Sequence, residues 1–550
     1  METKQKTIVL AALLFLVLAF CCRALHEPDV WWQLATGRWI VENRTIPYTD
    51  VLSFTYAGDP WVNIKWVAEV IIFGIAKIFG PEWLPLFSGF LMLLIMRSFY
   101  ILYKNNGKNI YAFGMAAILF LVIISNRLNG RPEIFSYCFT ALYLLVFSFS
   151  TKNKKWLWTL PVLQVLWTNT HEAYGVGVFM LMVFAVANIR SENGKNWLKY
   201  LAPIGLSLAA MALNPIGVKI YAYTFNLFSQ LSANRFTTEL LSALDERYWD
   251  LFAILNIFTA VLTACTVLAA AQASNWKWNK FQQKMAFHHL VFLSAFFYLS
   301  LKSHRNIPFF QIAAFPLYLQ TIESSAAFRL LRSQITFSVL AIVLYMLVVS
   351  NVFYQQFDRT NRFGLGISPQ YNPIGATEYL KPVLRRNQKV FSDFLVSNYP
   401  LYQLYPEFKS YIDLRDLDIF PPAFFKNCMV VYQAPETMVS STQNIWQMAD
   451  SIDHFDYVLL SNQPAFRALH RNLNRSQEFE LVFVDPVAAV FHRTNRKDTL
   501  SKTSFSNYSF PAETGMAKAI NSILNPFYSK LQPIDFNVRY FEEMYESQYK

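Results

Sequence analysis

Trp61-Val-Asn-Ile-Lys-Trp-Val-Ala-Glu-Val-Ile-Ile-Phe-Gly-Ile-Ala-Lys-Ile-Phe-Gly80 is the stretch on which the topology turns. It is apolar over a near-spanning length, yet Lys65, Glu69 and Lys77 interrupt it. Other apolar stretches of spanning or near-spanning length run at 7–25, 82–103, 110–125, 132–150, 156–170, 173–189, 198–213, 251–272, 285–302, 307–322 and 334–354, which predicts about eleven transmembrane helices. With the amino terminus inside and 61–80 lying in the interface, the basic turns fall on the cytoplasmic side. These are Lys104 with Lys108, Lys152 with Lys154 and Lys155, Arg190 with Lys195, Lys277 with Lys280 and Lys284, and Arg329 with Arg332. The positive-inside rule then holds at each of them. If 61–80 spanned, every later cluster would flip outside, so an amphipathic interfacial helix is expected there.

Composition agrees with a chain largely solvated by lipid. Of 550 residues, 54% are hydrophobic and 15% charged, a balance displaced from that of soluble domains. Aromatics make up 17%, many at the ends of apolar runs, where amphipathic rings favour the headgroup zone. The net charge of +12 is dispersed in short clusters between apolar runs; it lacks the single basic face of a nucleic-acid binder, so no nucleic-acid partner is expected. Five cysteines have no metal spacing and are expected as core thiols. Residues 7–22 resemble a signal peptide, but no Ala-x-Ala site follows before Arg23, so this segment is expected to stay as a helix.

The parity argument puts the loop 26–81, the turns 126–132, 169–172 and 303–306, the segment 214–250 and everything after residue 354 on the outer face. Three regions are expected: a membrane domain 1–355 that includes the loop 26–81, an extracytoplasmic α/β domain 356–494 and a polar tail 495–550. The α/β reading rests on short β-like runs at 389–391, 410–412, 457–460, 481–484 and 488–491 between helical stretches. A helix is possible at 512–531 in the tail, whose aromatic end, 540–549, suits a partner.

Polar chemistry concentrates on the outer side. His26-Glu-Pro-Asp-Val-Trp-Trp32 places Glu27 and Asp29 just after the first helix. Asp29 is placed to cap a helix at 30–42 and, compatibly with that, to serve as a general base or a ligand for a divalent cation such as Mg or Mn. Arg127-Leu-Asn-Gly-Arg-Pro-Glu133 sets out two guanidiniums, whose paired donors match phosphate; snorkelling or pairing with Glu133 is the competing explanation. Arg305, in Ser303-His-Arg-Asn306, is read the same way. Asn169, His171 and Glu172 occupy a tight turn between apolar helices, where ionisable groups face a cavity or a partner. The segment 214–250 mixes Glu239, Asp245, Glu246 and Arg247 with Tyr221, Tyr223, Phe225 and Tyr248, which suits either a sugar or an interfacial helix. No nucleotide-binding fingerprint is present, so a soluble nucleotide sugar is unsupported.

The runs Glu27-Pro-Asp-Val-Trp-Trp-Gln-Leu-Ala-Thr-Gly37, Ile46-Pro-Tyr-Thr-Asp-Val-Leu-Ser-Phe-Thr55 and Pro60-Trp-Val-Asn63 resemble the first outer loop of bacterial GT-C-like membrane glycosyltransferases. Arg131-Pro-Glu133, Trp167-Thr-Asn-Thr-His171, Asn214-Pro215 and Arg305-Asn-Ile-Pro308 continue the likeness, and Ser410-Tyr-Ile-Asp-Leu-Arg415 is similar to extracytoplasmic domains attached to such proteins. The resemblance implies a polyprenyl-phosphate sugar donor, in-plane helices within the first loop, and a first-loop acid that is catalytic or helps hold a metal. That role falls on Asp29, with Glu27 second. Gln33, where the family has His, and Glu172, where it has a small residue, depart from the pattern.

These readings converge on an α-helical polytopic GT-C-like protein of the bacterial inner membrane with a C-terminal extracytoplasmic α/β domain. It would pass a sugar from a polyprenyl-phosphate carrier to a glycan, lipid or protein acceptor. Asp29 and Glu27 would be catalytic, Arg127, Arg131 and Arg305 would bind the donor phosphate, and Asn169, His171, Glu172 and Asn306 would support them. Two other classes stay open: a noncatalytic membrane subunit docked to an envelope protein, and a lipid or glycolipid transporter.

Overall fold

A computed structural model describes residues 2–106, 109–191, 197–223, 242, 245, 250–415, 419–476 and 478–494. Glu239, Glu246, Arg247, Tyr248 and Phe225, the basic residues Lys108 and Lys195, and the tail helix and aromatic cluster expected beyond 494 lie outside the described residues. Two compact units emerge: Met1–Arg23 with Trp83–Gly364, and Ala24–Glu82 with Leu365–Lys550.

The first unit is helical. A helix overlaps each of the eleven apolar stretches named above: Glu2–Cys21, Leu84–Asn106, Ile110–Ile124, Glu133–Ser150, Leu160–Thr168, Tyr174–Ser191, Leu198–Ala210, Leu251–Gln272, Phe287–Lys302, Ile307–Ser324 and Gln334–Val349. Among the described residues, five segments are long and apolar enough to cross a membrane: Thr3–Cys21, Pro81–Lys104, Ile110–Arg127, Glu133–Ser150 and Leu251–Gln272. Their starts carry local signals. The side chains of Asn109 and Asp250 accept backbone N–H groups of the first turns that follow them, meeting donors that a helix leaves unpaired.

Lipid is as apolar as leucine, so close packing and interhelical hydrogen bonds must select the partners. Phe99 stacks on Phe315 at 4.0 Å and Phe147 on Phe184 at 4.1 Å. Gln311 Nε2 donates to Asn256 Oδ1 at 2.8 Å and Thr259 Oγ1 at 2.7 Å, tying Ile307–Ser324 to Leu251–Gln272.

In the second unit a four-stranded sheet comprises β1 (Val390–Ser392), β2 (Tyr457–Ser461), β3 (Phe479–Val484) and β4 (Ala488–Arg493), in the order β1-β2-β4-β3. The β1–β2 pair is parallel, with Phe391 opposite Val458, and the other two are antiparallel. Side chains alternate between two cores, as the period of a strand requires. Phe391, Val458, Leu460 and Phe491 pack against helices Pro422–Gln433, Ile445–Asp453 and Arg467–Arg475. Val390, Leu459 and Val490 share the other core with Ala376, Leu380 and Leu401, and with Trp32, Leu52 and Trp61 of the first loop. The loop thus supplies one layer of this unit.

Two loop helices, Asp29–Asn43 and Trp66–Phe79, cross closely at Gly37. A Cβ there would run into the Glu69 carbonyl and lie 2.8 Å from the Phe73 Cβ. Two of the three charges inside 61–80 are explained by this fold: Glu69 is buried and accepts from Asn63 Nδ2 at 2.6 Å, and Lys65 lies over the Trp32 ring at 4.6 Å, while Lys77 is exposed.

Among the described residues, 410–412 is not a strand of the sheet. Ser410 pairs instead with Ser53 in a parallel bridge, with N–H···O bonds of 3.1 Å linking Phe54 to Ser410 and Ser410 to Leu52. That bridge aligns side chains for an ion cluster in which Arg415, fully buried, meets Asp50 at 2.7 Å and Asp413 at 2.7 Å. Ser53 and Ser410 hydroxyls donate to the two carboxylates, and Trp61 lies 4.8 Å from the guanidinium.

Candidate functional site

In the helical unit, the turn 125–132 is shaped by Gly130, which has φ +82° and would place a Cβ 2.9 Å from that of Leu84. Its N–H donates to Ser88 Oγ at 3.1 Å. Only glycine accepts this backbone region with such a close neighbour at little cost. Arg23, wholly buried, braces the same turn: its Nη1 donates to Asn129 Oδ1 at 3.0 Å and Asn361 Oδ1 at 2.9 Å.

The turn delivers Arg127 to Glu133, in the first turn of Glu133–Ser150, and the segment His304–Asn306 delivers Arg305 to the same carboxylate. The separations are 4.0 Å and 3.7 Å. Glu133 is nearly inaccessible, and neither of its oxygens accepts a hydrogen bond among the described residues. Two guanidiniums thus face one carboxylate. Arg305 keeps 27% of its side chain exposed, so its donors can still be reached. Arg131, half-buried, lies four residues beyond Arg127. The carboxylate is also favourably placed at a helix amino terminus.

One turn further along, Ser136 Oγ lies 2.8 Å from His171 Nδ1 and accepts from Trp167 Nε1 at 2.8 Å. The Ala173 N–H donates to the same His171 nitrogen at 3.3 Å. These bonds assign Nδ1 as an acceptor that takes the Ser136 hydroxyl proton, leaving the hydrogen of the neutral ring on Nε2.

Asn169 is engaged in structure: its Nδ2 donates to the carbonyls of Val165 at 2.8 Å and Leu213 at 3.1 Å, and its Oδ1 accepts from Asn214. Asn306 Nδ2 donates to the Leu299 carbonyl at 3.2 Å. Glu172 is half-buried in the turn beside His171. The structure therefore groups Arg127 and Arg305 around Glu133, and places His171 on Ser136 in the next turn of the same helix.

In the second unit, Glu27 is buried and Asp29 half-buried. Asp29 is the first residue of its helix, with Pro28 at the cap position, so the expected capping role does not apply. Its Oδ1 accepts from Trp32 Nε1 at 3.3 Å. Neighbouring Trp31 is anchored by donation to Asn372 Oδ1 at 2.6 Å and an edge contact with Tyr399 at 4.8 Å. Gln33, at the departure noted above, is buried.

A dedicated metal cage is not built here. Among the described residues no three or more His, Cys, Asp or Glu side chains converge, so a divalent cation on Asp29 would have to complete its shell from water and substrate oxygens.

Sequence reasoning missed Arg23, Ser136 and the Asp50–Arg415–Asp413 cluster. Arg415 and Asp50 were visible only as parts of two motifs 365 residues apart. Burial pushes the Asp50 carboxyl up, but the Arg415 charge, the Ser53 hydroxyl and the Leu52 N–H outweigh it and hold it below the usual carboxylate range.

No family model matches the chain, and no curated protein matches it. Solved structures do. An oligosaccharyltransferase AglB from Archaeoglobus fulgidus, in complex with an inhibitory peptide and a dolichol-phosphate, aligns with 91% of this chain and 75% of its own at 10% identity and a TM-score of 0.53. An A. fulgidus oligosaccharyltransferase in its apo form aligns with 83% of this chain and 69% of its own at 11% identity and a TM-score of 0.54. One tethered to an acceptor peptide containing an NVT sequon gives the same coverages at 10% identity and a TM-score of 0.52. Apolar helices followed by a small sheet unit, aligned over most of both chains, show that this protein shares the fold of these oligosaccharyltransferases.

Proposed function

We propose that the chain is a membrane glycosyltransferase that moves a sugar from a polyprenyl-phosphate carrier to an acceptor. The observation that carries this reading is the convergence of Arg127 and Arg305 on buried Glu133, in a fold shared with proteins solved with a dolichol-phosphate and with acceptor peptides. A protein acceptor is accordingly favoured over a glycan or a lipid.

In the reaction an acceptor nucleophile attacks the anomeric carbon, the bond from that carbon to the phosphate oxygen breaks, and the carrier phosphate leaves with the electron pair. Negative charge grows on the leaving phosphate, where preorganised guanidiniums stabilise it most. Arg127 and Arg305 take that role, with Arg131 beside them and Glu133 keeping the pair in place. Asp29 takes the acceptor proton and Glu27 supports it, while within the helical unit His171, Glu172, Asn169 and Asn306 are the supporting polar groups. A divalent cation held at Asp29 would add Lewis-acid stabilisation; no step above depends on it.

The same reading places the amino terminus inside, about eleven helices across a bacterial inner membrane and the 356–494 domain on the extracytoplasmic side. Purified full-length protein tests the phosphate site. Arg127→Gln and Arg305→Gln are each expected to weaken binding of undecaprenyl phosphate about 10- to 100-fold, the range of one charge-assisted hydrogen bond, while uncharged undecaprenol is unaffected. Unchanged affinity for the phosphate in both variants would overturn the assignment.

A further inference from the structure

At the other end of the helical unit lies a cavity of about 630 Å³ that the proposed reaction does not use. It is built from helix ends: the last turns of Leu84–Asn106, Glu133–Ser150 and Ile307–Ser324 and the first turn of Phe287–Lys302. Phe147, on its wall, is fourteen residues beyond Glu133 on one continuous helix, a separation of roughly 21 Å at 1.5 Å per residue. The cavity is therefore distinct from the Arg127–Glu133–Arg305 cluster.

Its chemistry is divided. The inner wall is apolar and firmly packed, with Phe99 stacked on Phe315 and Phe147 stacked on Phe184. Its mouth carries Lys284, Ser148, Thr151 and Gln320. Lys284 is exposed, with Nζ donating to the Ala273 carbonyl at 3.2 Å, which leaves two of its three ammonium protons for other acceptors. The one carboxylate in the lining, Glu323, accepts the Asn109 N–H at 3.0 Å, and its backbone carbonyl accepts from Arg332. Pro316 shapes the wall: it removes a helical N–H, and beside it His289 Nε2 donates to the Ala313 carbonyl at 2.7 Å. The ring is thereby held against the helix and not across the opening.

An apolar chamber with the Lys284 ammonium at its mouth fits an amphiphile with an anionic head. We propose that this cavity binds a glycerophospholipid, one acyl chain lying along the Phe99–Phe147–Phe315 wall, to which the His288 ring packed on Phe147 and Phe184 belongs, and the phosphate meeting Lys284. The uncharged donors Ser148 and Gln320 decide between phosphate-headed lipids, since the Thr151 hydroxyl already donates to the Ser148 carbonyl at 2.7 Å. A glycerophospholipid offers ester carbonyls next to its phosphate for them to meet, whereas a polyprenyl phosphate offers only hydrocarbon there. The basic residues Lys152, Lys154, Lys155, Lys277 and Lys280, at or beside the same helix ends, add attraction for an anionic leaflet.

The test is photo-cross-linking of the full-length protein in phosphatidylcholine nanodiscs, using phosphatidic acid with a diazirine on one acyl chain. Cross-links are expected within 144–151 and 315–324. Lys284→Ala should cut labelling of those peptides at least fivefold, and Leu144→Trp, which fills the chamber, should do the same while labelling elsewhere is unchanged. Equal labelling by a diacylglycerol probe, or labelling indifferent to both variants, would overturn the site. Displacement by millimolar inorganic phosphate would reassign it to small anions. Competition by undecaprenyl phosphate at least tenfold stronger than by unlabelled phosphatidic acid would reassign it to the carrier. None of these outcomes depends on whether Arg127 and Arg305 bind the donor.

Discussion

Arg415 shows how strongly one side chain can commit a fold. Its guanidinium, shut away from water, is raised further above its ordinary value by Asp413 and Asp50 against the opposing pull of burial. Removing one partner of such a cluster strands buried charge, so Arg415→Ala is expected to destabilise the second unit by about 3–5 kcal/mol. Hydrogen exchange at β1 and β2 in the full-length protein would read this as faster opening; unchanged protection would show that the cluster is dispensable. Asp393 and His470 provide a second prediction. Burial lifts Asp393 to about 7 against the N–H groups of Ser461, Leu395 and Val396, and burial depresses His470 to about 4. Unfolded values lie near ~3.9 and ~6.5. The unfolded chain therefore ionises Asp393 first as pH rises from about 4 to about 7, and that contribution to stability is lost upward. The unfolded chain protonates His470 first as pH falls from about 6.5 to about 4, and that contribution is lost downward. The two oppose each other, so Asp393→Asn should unmask a stability that rises with pH across this window by an amount on the order of a few kcal/mol, measured by exchange at Tyr457–Ser461. Parallel pH profiles for variant and wild type would contradict it. Asp393 and His470 carry no signal in the sequence, because a buried aspartate looks like a solvated one until its neighbours are known.

At the scale of elements, the legible features were the periodic and terminal ones. Long apolar runs announced the helices, and polar caps such as Asn109 and Asp250 marked their starts. Strand patterns at 457–460, 481–484 and 488–491 fell within β2, β3 and β4. The run 410–412 failed because an apolar alternation of three residues does not say whether its partner is a sheet or, as here, a loop 357 positions away at Ser53. Lys65, Glu69 and Lys77 set 61–80 apart from the other apolar stretches, but not what it packs on; that depended on Gly37, a glycine inside another helix. Gly37→Ala is expected to cost about 1–3 kcal/mol, since the new methyl would meet the Glu69 backbone, which cannot swing aside. Gly74→Ala, in the partner helix with open space around it, should be neutral or stabilising. Thermal unfolding of the two variants side by side checks the pair, and equal midpoints would refute the close crossing.

For the whole molecule, composition and charge pattern pointed to a multi-helix membrane chain, and the first-loop resemblance to the GT-C-like fold that the solved structures share. Parts of the candidate site are legible as residue types: Arg127 and Arg305 because paired guanidinium donors match phosphate, and His171 because an ionisable group between apolar helices faces a cavity or a partner. The partners themselves, Glu133 for both arginines and Ser136 for the histidine, depend on how separate helices meet and carry no local signal. Asp29 was legible by position after the first helix, while its bond from Trp32 and its place one residue inside the helix were not. The central claim, sugar transfer from a polyprenyl-phosphate carrier, is tested most directly by mass spectrometry of glycans, glycoproteins and carrier lipids. The cells to compare lack the protein or express wild type or Asp29→Asn at matched levels. Loss of one glycosyl product together with accumulation of its carrier-linked donor, in both the deletion and the Asp29→Asn strain, is the predicted result. Unchanged products and carriers in the deletion strain would contradict it.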